Sequence, residues 1–289
     1  MYCNREDKTK GFVVSALRLK NHLNTSSQRR HFEQLRSLRL VFIMKVRFLG
    51  TNGWYSTGSG NTSCVLIETE TNYVVLDAGD GIHKLDKYIR TEKPIHLFLS
   101  HLHFDHIIGF HAFNKLKFKQ TINIYGYTGT KDGLQIVRHP YTIPFKDLPF
   151  RVKIHDLKEG GHYRPFPFAC KQLVHSDPSL GYRFELENHV ITYCTDTGLC
   201  NNLVELAQNA ALLITDCSLL PGQKDLGWPH LDPEDAANVA KQANAKQLVL
   251  THFTASNYEA KRDRCNAEAV AKTIFKNTVY AYDGFELEF

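Results

Sequence analysis

The run Ser100-His101-Leu102-His103-Phe104-Asp105-His106 constrains this chain more than any other stretch. It sets four candidate metal ligands, His101, His103, Asp105 and His106, within six positions. The residues leading into it, Ile95 to Ser100, are apolar and alternating enough to form a buried strand. The ligands therefore fall where a strand stops and the chain turns. His101 and His103 are two apart, so at the end of an extended segment both side chains point to one side. Asp105 and His106 follow the turn and face a second point nearby. That spacing suits two adjacent metal ions better than one. Imidazole with carboxylate suits zinc, manganese, iron or nickel, without thiolate. A single surface histidine carries no such meaning, and this chain has 15. The joint spacing behind a strand is what singles these out.

Composition narrows the setting. The chain's 289 residues allow one large domain or two small ones. No apolar run approaches the length of a membrane-spanning helix. The seven cysteines are odd in number and contain no Cys-x-x-Cys pair, which points to a reducing, cytoplasmic setting rather than a disulfide framework. The net charge of +5 is concentrated at one end. Residues 1 to 43 hold nine Lys/Arg against three Asp/Glu, leaving 26 basic and 27 acidic residues for the remainder. A body near neutrality has no general footprint for long nucleic acids, although a local basic patch stays open.

The chain divides accordingly. Residues 1 to 43 read as a disordered or artefactual N-terminal extension, with an organellar presequence or a basic arm as the other reading. Residues 44 to 289 read as one domain of alternating strands and helices. Its first strand, Val46 to Leu49, leads into a Gly/Ser/Asn-rich loop, Gly50 to Thr62, able to cradle phosphate but lacking a P-loop pattern. Cys64–Glu68 and Tyr73–Leu76 form a hairpin that ends at Asp77. Helices are expected over His83–Ile89, Ile107–Lys115, Thr130–Arg138, Asn202–Gln208 and Asn266–Lys276. Another starts at Asp232 as N-cap with Pro233 in the first turn and runs to about Asn244. Further strands are expected over Thr121–Tyr125, Val152–Leu157, Ala169–Val174, Ala211–Thr215, Gln247–Leu250 and Val279–Glu286. Leu180–Leu186 and His189–Cys194 form a second hairpin.

His101, His103, His175, Asp196 and His252 all come just after expected strands. In layered α/β folds, sites gather at strand ends, where loops turn side chains inward. The order H-x-H-x-D-H, then His175, Asp196 and His252, resembles the metallo-β-lactamase superfamily from Met44 to Phe289. The resemblance implies a four-layer αββα sandwich of class α/β. It implies one metal on His101, His103 and His175, a second on Asp105, His106 and His252, and Asp196 bridging both. Two Zn2+ are implied, with Mn2+ as the other choice. A water acidified between the ions would be the nucleophile. Asp77 would support the ligands from behind, its other reading being an ordinary turn aspartate.

His175-Ser-Asp-Pro-Ser-Leu-Gly-Tyr and Gly227-Trp-Pro-His230-Leu-Asp-Pro-Glu resemble the ribonuclease Z-like phosphodiesterase branch. In that branch the histidine at His230 is not a ligand. It faces the scissile phosphate and either stabilises charge or protonates the leaving oxygen, the other reading of His230 being a cap on the loop before the helix. Asp105 and His230 are thus the candidate catalytic residues. Asp216 either orients His230 or is a turn residue. One departure from the branch matters. His175 and Asp196 are 21 positions apart, room for one hairpin and not for the long arm with which ribonuclease Z grips transfer RNA. The arm-less relatives, among them anti-Pycsar enzymes, point to a small phosphodiester and most of all to a cyclic nucleotide. Transfer RNA 3′ processing and another hydrolysis on the same fold are the alternatives. The resemblance also implies a homodimer.

Overall fold

The computed structural model describes residues 42–138, 141–225 and 227–289, apart from the side chains of 136–138. The expected extension, residues 1 to 43, lies outside them except for Phe42 and Ile43.

Two seven-stranded sheets carry the fold. The first is built from β1 (Lys45–Gly50), β3 (Cys64–Glu68), β4 (Tyr73–Leu76), β5 (Ile95–Phe98), β6 (Ile122–Tyr127), β7 (Val152–Leu157) and β16 (Glu286–Glu288), in the order β16-β1-β3-β4-β5-β6-β7. The second combines β8 (Gly160–His162), β9 (Phe168–Gln172), β10 (Leu180–Leu186), β11 (His189–Cys194), β12 (Leu212–Asp216), β13 (Leu248–Thr251) and β15 (Thr278–Tyr280). Its order is β15-β13-β12-β11-β10-β9-β8. Strands β4 to β7 run parallel, as do β11, β12, β13 and β15. The turn between β10 and β11 is Glu187-Asn188, both with positive φ, the geometry whose twist matches a tight hairpin.

Period-two alternation sorts the strands onto two faces. Val74 and Leu76 join Val46, Phe98, Tyr182, Tyr193, Leu212 and Ile214 in a core between the sheets. Tyr73 and Val75 face the other way, onto Ile82, Leu85, Phe110 and Phe113. Leu213, Leu248 and Leu250 face Leu203, Leu206, Ala236, Ala240, Ala267 and Ala271. Three apolar layers therefore separate four structural ones, helix–sheet–sheet–helix, as the sequence led us to expect. Among the helices, α1 spans Phe104–Ile107, α2 Thr130–Arg138, α3 Asn201–Ala207, α4 Pro233–Gln242 and α5 Lys261–Ile274. Asp232 caps α4 through its side chain, accepting the Asp235 N–H at 2.7 Å, a contact worth about 1 kcal/mol.

Several expectations need correction. The helix expected over His83–Ile89 is a 3₁₀ helix that runs from Asp80 to Lys87. Ile107–Lys115 divides into the short α1 and a 3₁₀ helix, Ile108–Lys115. In both segments the buried apolar residues recur at a spacing of three, Ile82 with Leu85 and Phe110 with Phe113, which is the 3₁₀ repeat. α5 begins at Lys261 rather than Asn266, because the Asp263 carboxylate accepts the Ala260 N–H at 3.0 Å and starts it early. The closing segment holds strands as expected, β15 and β16, which lie in different sheets. β2 (Asn52–Gly53) and β14 (Phe253–Thr254), too short to be read from the sequence, pair in parallel beside the site.

Strand direction places the site. The parallel strands β4, β5, β11, β12 and β13 deliver Asp77, His101, Asp196, Asp216 and His252 at their C-terminal ends, where side chains of such folds converge. β9 runs antiparallel to β10, and β10 to β11, so β9 ends on the same side and delivers His175. Asp77, Asp196 and His252 adopt left-handed backbone, with φ of 60°, 51° and 55°. Asp, Asn and His tolerate that region better than other side chains, and such strain clusters at functional sites.

Candidate metal centre

The structure brings the seven expected ligands into one cluster, with His101, His106, Asp196 and His252 buried and His103, Asp105 and His175 half-buried. Donor atoms of His101, His103, His175 and Asp196 lie within 4.8 Å of one another, and so do those of Asp105, His106 and His252. His101 and His103 do fall on one side, their ring centres 4.4 Å apart. The Asp196 carboxylate stands between the two groups. Its Oδ1 is 3.8 Å from Nε2 of both His101 and His175. Its Oδ2 is 3.0 Å from His106 Nε2 and 3.1 Å from His252 Nε2. Asp105 Oδ2 lies 3.2 Å from His252 Nε2 and 3.5 Å from His106 Nε2.

The surrounding hydrogen bonds decide which ring nitrogens are left for a metal. Asp77, fully buried, accepts the Ser100 N–H at 2.7 Å, the Tyr193 hydroxyl at 2.7 Å and the Ser100 hydroxyl. An ionised carboxylate only accepts, so His106 Nδ1, 2.8 Å from Asp77 Oδ2, is the donor there. The Ser100 proton is engaged by Asp77, so His101 Nδ1 at 3.0 Å donates to that hydroxyl. Ser218 does the same for His252. Its hydroxyl donates to Asp216 Oδ1 at 2.5 Å and accepts from His252 Nδ1 at 3.0 Å. In the neutral rings, the Nε2 lone pairs of His101, His106 and His252 thus all point into the cluster. His106 and His252 approach Nε2 to Nε2 at 3.1 Å. Buried His101 Nε2 and Asp196 Oδ2 have no hydrogen-bond partner. Converging lone pairs and carboxylate oxygens at these separations repel one another unless a cation or protons lie between them. Three imidazoles with the Asp196 carboxylate in one half, and two imidazoles with the Asp105 and Asp196 carboxylates in the other, are fitting donor sets for divalent metal ions.

Electrostatics follow from this crowding. Burial, then the neighbouring His106, holds His101 well below the usual histidine range, so it stays neutral and able to ligate. Burial opposes charge on His106 and His252 as well. The Asp196, Asp105 and Asp77 carboxylates nevertheless lift His106 well above its ordinary value, and Asp196 and Asp105 lift His252 to about 10. Burial likewise opposes ionisation of Asp196, but His252, His106 and His101 drive it well below the carboxylate range. Without a metal ion the carboxylates keep protons on His106 and His252, and a metal ion must displace them.

His230 stands beside the cluster. Its Nδ1 is 2.6 Å from Asp216 Oδ2, and its ring centre lies 5.2 Å from that of His175 and 5.8 Å from that of His252. A third grouping, Asp196 with His230 and His252, also falls within 4.8 Å. Asp216 is fully buried, contacts the His230 ring directly and reaches His252 through Ser218. Burial would raise its pKa, but His230 draws it down to about 2. Burial works against charge on His230, and Asp216 more than offsets it, raising its pKa.

The Gly50–Thr62 loop covers the Asp105 side. The Trp54 N–H donates to Asp105 Oδ2 at 2.8 Å. Gly53 lies so near His252 that a Cβ there would meet its ring at 2.5 Å. Buried Arg264 clamps the loop from α5, donating to Thr51 Oγ1 at 2.9 Å and Asn52 Oδ1 at 2.5 Å over the Phe253 ring. Sequence reasoning missed Ser100, Tyr193, Ser218 and Arg264. Only Ser100 carried a local signal, its adjacency to the motif.

Residues 72–253 match the profile of the family described as "Beta-lactamase superfamily domain". A protein named "Ribonuclease Z" from Microcystis aeruginosa is 28% identical, covering 83% of this chain and 94% of its own length. A "Probable metallo-hydrolase YhfI" from Bacillus subtilis is also 28% identical, covering 85% of this chain and all of the relative. The crystal structure of YhfI superposes with a TM-score of 0.73 at 25% identity, over 86% of this chain and 99% of that one.

Proposed function

The chain belongs to the beta-lactamase superfamily, and on that premise we propose that it is a metal-dependent phosphodiesterase for a small phosphodiester, most of all a cyclic nucleotide. The observation that carries this reading is His230, held at 2.6 Å by Asp216 beside both halves of the centre. With Nδ1 engaged, its Nε2 is free to face a substrate and to protonate a leaving oxygen. Hydrolysis of a lactam or thioester gives no account of that pair.

His101, His103 and His175 would hold one ion, Asp105, His106 and His252 the other, and Asp196 both. The donor set fits zinc, with manganese as the second choice. Ions bound there supply Lewis-acid charge and lower the pKa of water toward neutrality. Asp77 and Ser218 keep the ligand rings in the tautomers that leave Nε2 free. Asp105, whose Oδ2 faces the same gap, is the candidate acceptor for a proton from the attacking water.

Substrate size is supported by what the chain lacks relative to its relatives. The ribonuclease Z alignment spans 304 positions but only 83% of 289 residues, about 240, so about 64 positions are segments absent here. The YhfI alignment spans 255 positions over 85% of the chain, about 246, and needs few such gaps. Between His175 and Asp196 stands the β10–β11 hairpin alone. A near-neutral body adds nothing for a long polyanion. The second reading, an RNA endonuclease, is favoured by the likeness to proteins named ribonuclease Z. Metal-loaded protein incubated with cyclic nucleotides, bis-p-nitrophenyl phosphate, a precursor transfer RNA and a thioester separates these readings. Cleavage of the transfer RNA alone would replace the first with the second, and turnover of the thioester alone would remove both.

The same proposal includes a homodimer, read out by light scattering. It includes a cytoplasmic setting, supported by the six described cysteines, all free. No helix among the described residues is long and apolar enough to cross a membrane. Residues 1 to 43 are proposed to be dispensable, so their deletion should leave melting temperature and turnover intact.

A further inference from the structure

The chain has two tryptophans, and both stand at the rim of the metal centre. The Trp228 ring centre is 5.7 Å from that of His103 and 6.1 Å from that of His175, yet the residue is 55% exposed. Its N–H and that of Gly227 both donate to Asp225 Oδ1, at 2.9 and 2.8 Å, which fixes the backbone under the indole. Trp54 stands at the Asp105 side, 68% exposed, its N–H bonded to Asp105 and its φ at 73°. A bulky side chain in left-handed backbone is costly, and such strain persists where a ligand clamp is built. Each half of the centre thus presents one indole to solvent on a backbone anchored by a carboxylate. An indole left in water forgoes the stabilisation that burial would give it.

Resting on the phosphodiesterase reading, we propose that Trp228 is the stacking platform for a nucleobase, making it the residue that selects nucleotide diesters over diesters without a base. An aromatic face stacks on any base, since every base has a π-face. Trp228 lies two residues before His230 in the same anchored segment, so a base on the indole keeps its sugar-phosphate beside His103, His175 and His230. Trp54, paired edge-on with Tyr55 at 5.2 Å, closes the opposite rim.

Calorimetric titration of the metal-loaded protein with adenosine 5′-phosphate, ribose 5-phosphate and phosphocholine tests this. The nucleotide should bind about tenfold to hundredfold tighter than ribose 5-phosphate, the scale of one base–aromatic stack. Trp228→Ala should bring the nucleotide to the ribose phosphate level, and Trp228→Phe should keep most of the difference. In Trp54→Phe, where Trp228 is the lone tryptophan, the nucleotide should quench fluorescence and ribose phosphate should not. Equal affinity for the two phosphates, an equal loss of both in Trp228→Ala, tighter binding of phosphocholine or no nucleotide binding would overturn the proposal. Turnover of bis-p-nitrophenyl phosphate by the unaltered protein is scored separately. If it is absent the phosphodiesterase reading fails; if it is present without base preference, only the stacking role falls.

Discussion

His230 Nδ1 lies 2.6 Å from one oxygen of Asp216, and the other oxygen of that carboxylate accepts the Ser218 hydroxyl that supports His252. One buried carboxylate therefore orients both the candidate acid and a candidate ligand. His230→Ala should keep both metals and a near-normal melting temperature while kcat falls by about two orders of magnitude or more. The loss should shrink for p-nitrophenolate, a leaving group that needs little protonation. An equal loss for good and poor leaving groups would leave His230 a phosphate-binding role only. Loss of metal would make it a ligand, as its place in the grouping with Asp196 and His252 permits.

Gly53 tests the loop that covers the second half of the centre. Gly53→Ala puts a methyl group 2.5 Å from the His252 ring, with nowhere for either to go but apart. The expected outcome is a folded protein whose metal content falls toward one ion per chain and whose turnover falls with it. Full occupancy in this variant, by elemental analysis, would show that the loop yields and that the close approach has no functional weight.

Much of this is legible in the sequence, for a definite reason. His101, His103, His175, Asp196 and His252 each come just after a short stretch that reads as a strand, so the strand ends are local features of the sequence. In the structure Val74 and Leu76 face one layer while Tyr73 and Val75 face the other. What was not legible depends on contacts between distant parts of the chain. Arg264 meets Asn52 across 212 positions, and Tyr193 meets Asp77 across 116. No local pattern marks such pairs. The sequence marks the 3₁₀ segments as helical without giving their type, because an i, i+3 repeat is shared by both helices when an i+4 partner is missing.

His96 gives the fold a pH dependence independent of the metal centre. Its ring is buried among Tyr125 and Phe166, and burial, with His155 nearby, lowers its pKa from 6.5 to about 4. Below 6.5 the unfolded chain takes up a proton that the folded one refuses. Stability is therefore fully present above 6.5 and is lost as pH falls toward 4, by about 3 kcal/mol at most. Melting temperatures of metal-free protein should fall over that window, and His96→Leu should flatten the fall. An unchanged acid limb in the variant would assign it to other groups.

Asp196 is the residue on which the whole account turns, because its two oxygens face the two halves of the centre. The most direct measurement is turnover of bis-p-nitrophenyl phosphate by chelator-stripped protein as zinc or manganese is added back, with bound metal counted at each point. The account predicts no turnover without metal, a rise that saturates at two ions per chain, and neither turnover nor a second ion in Asp196→Ala. Turnover that saturates at one ion, or two ions still held by Asp196→Ala, would contradict it.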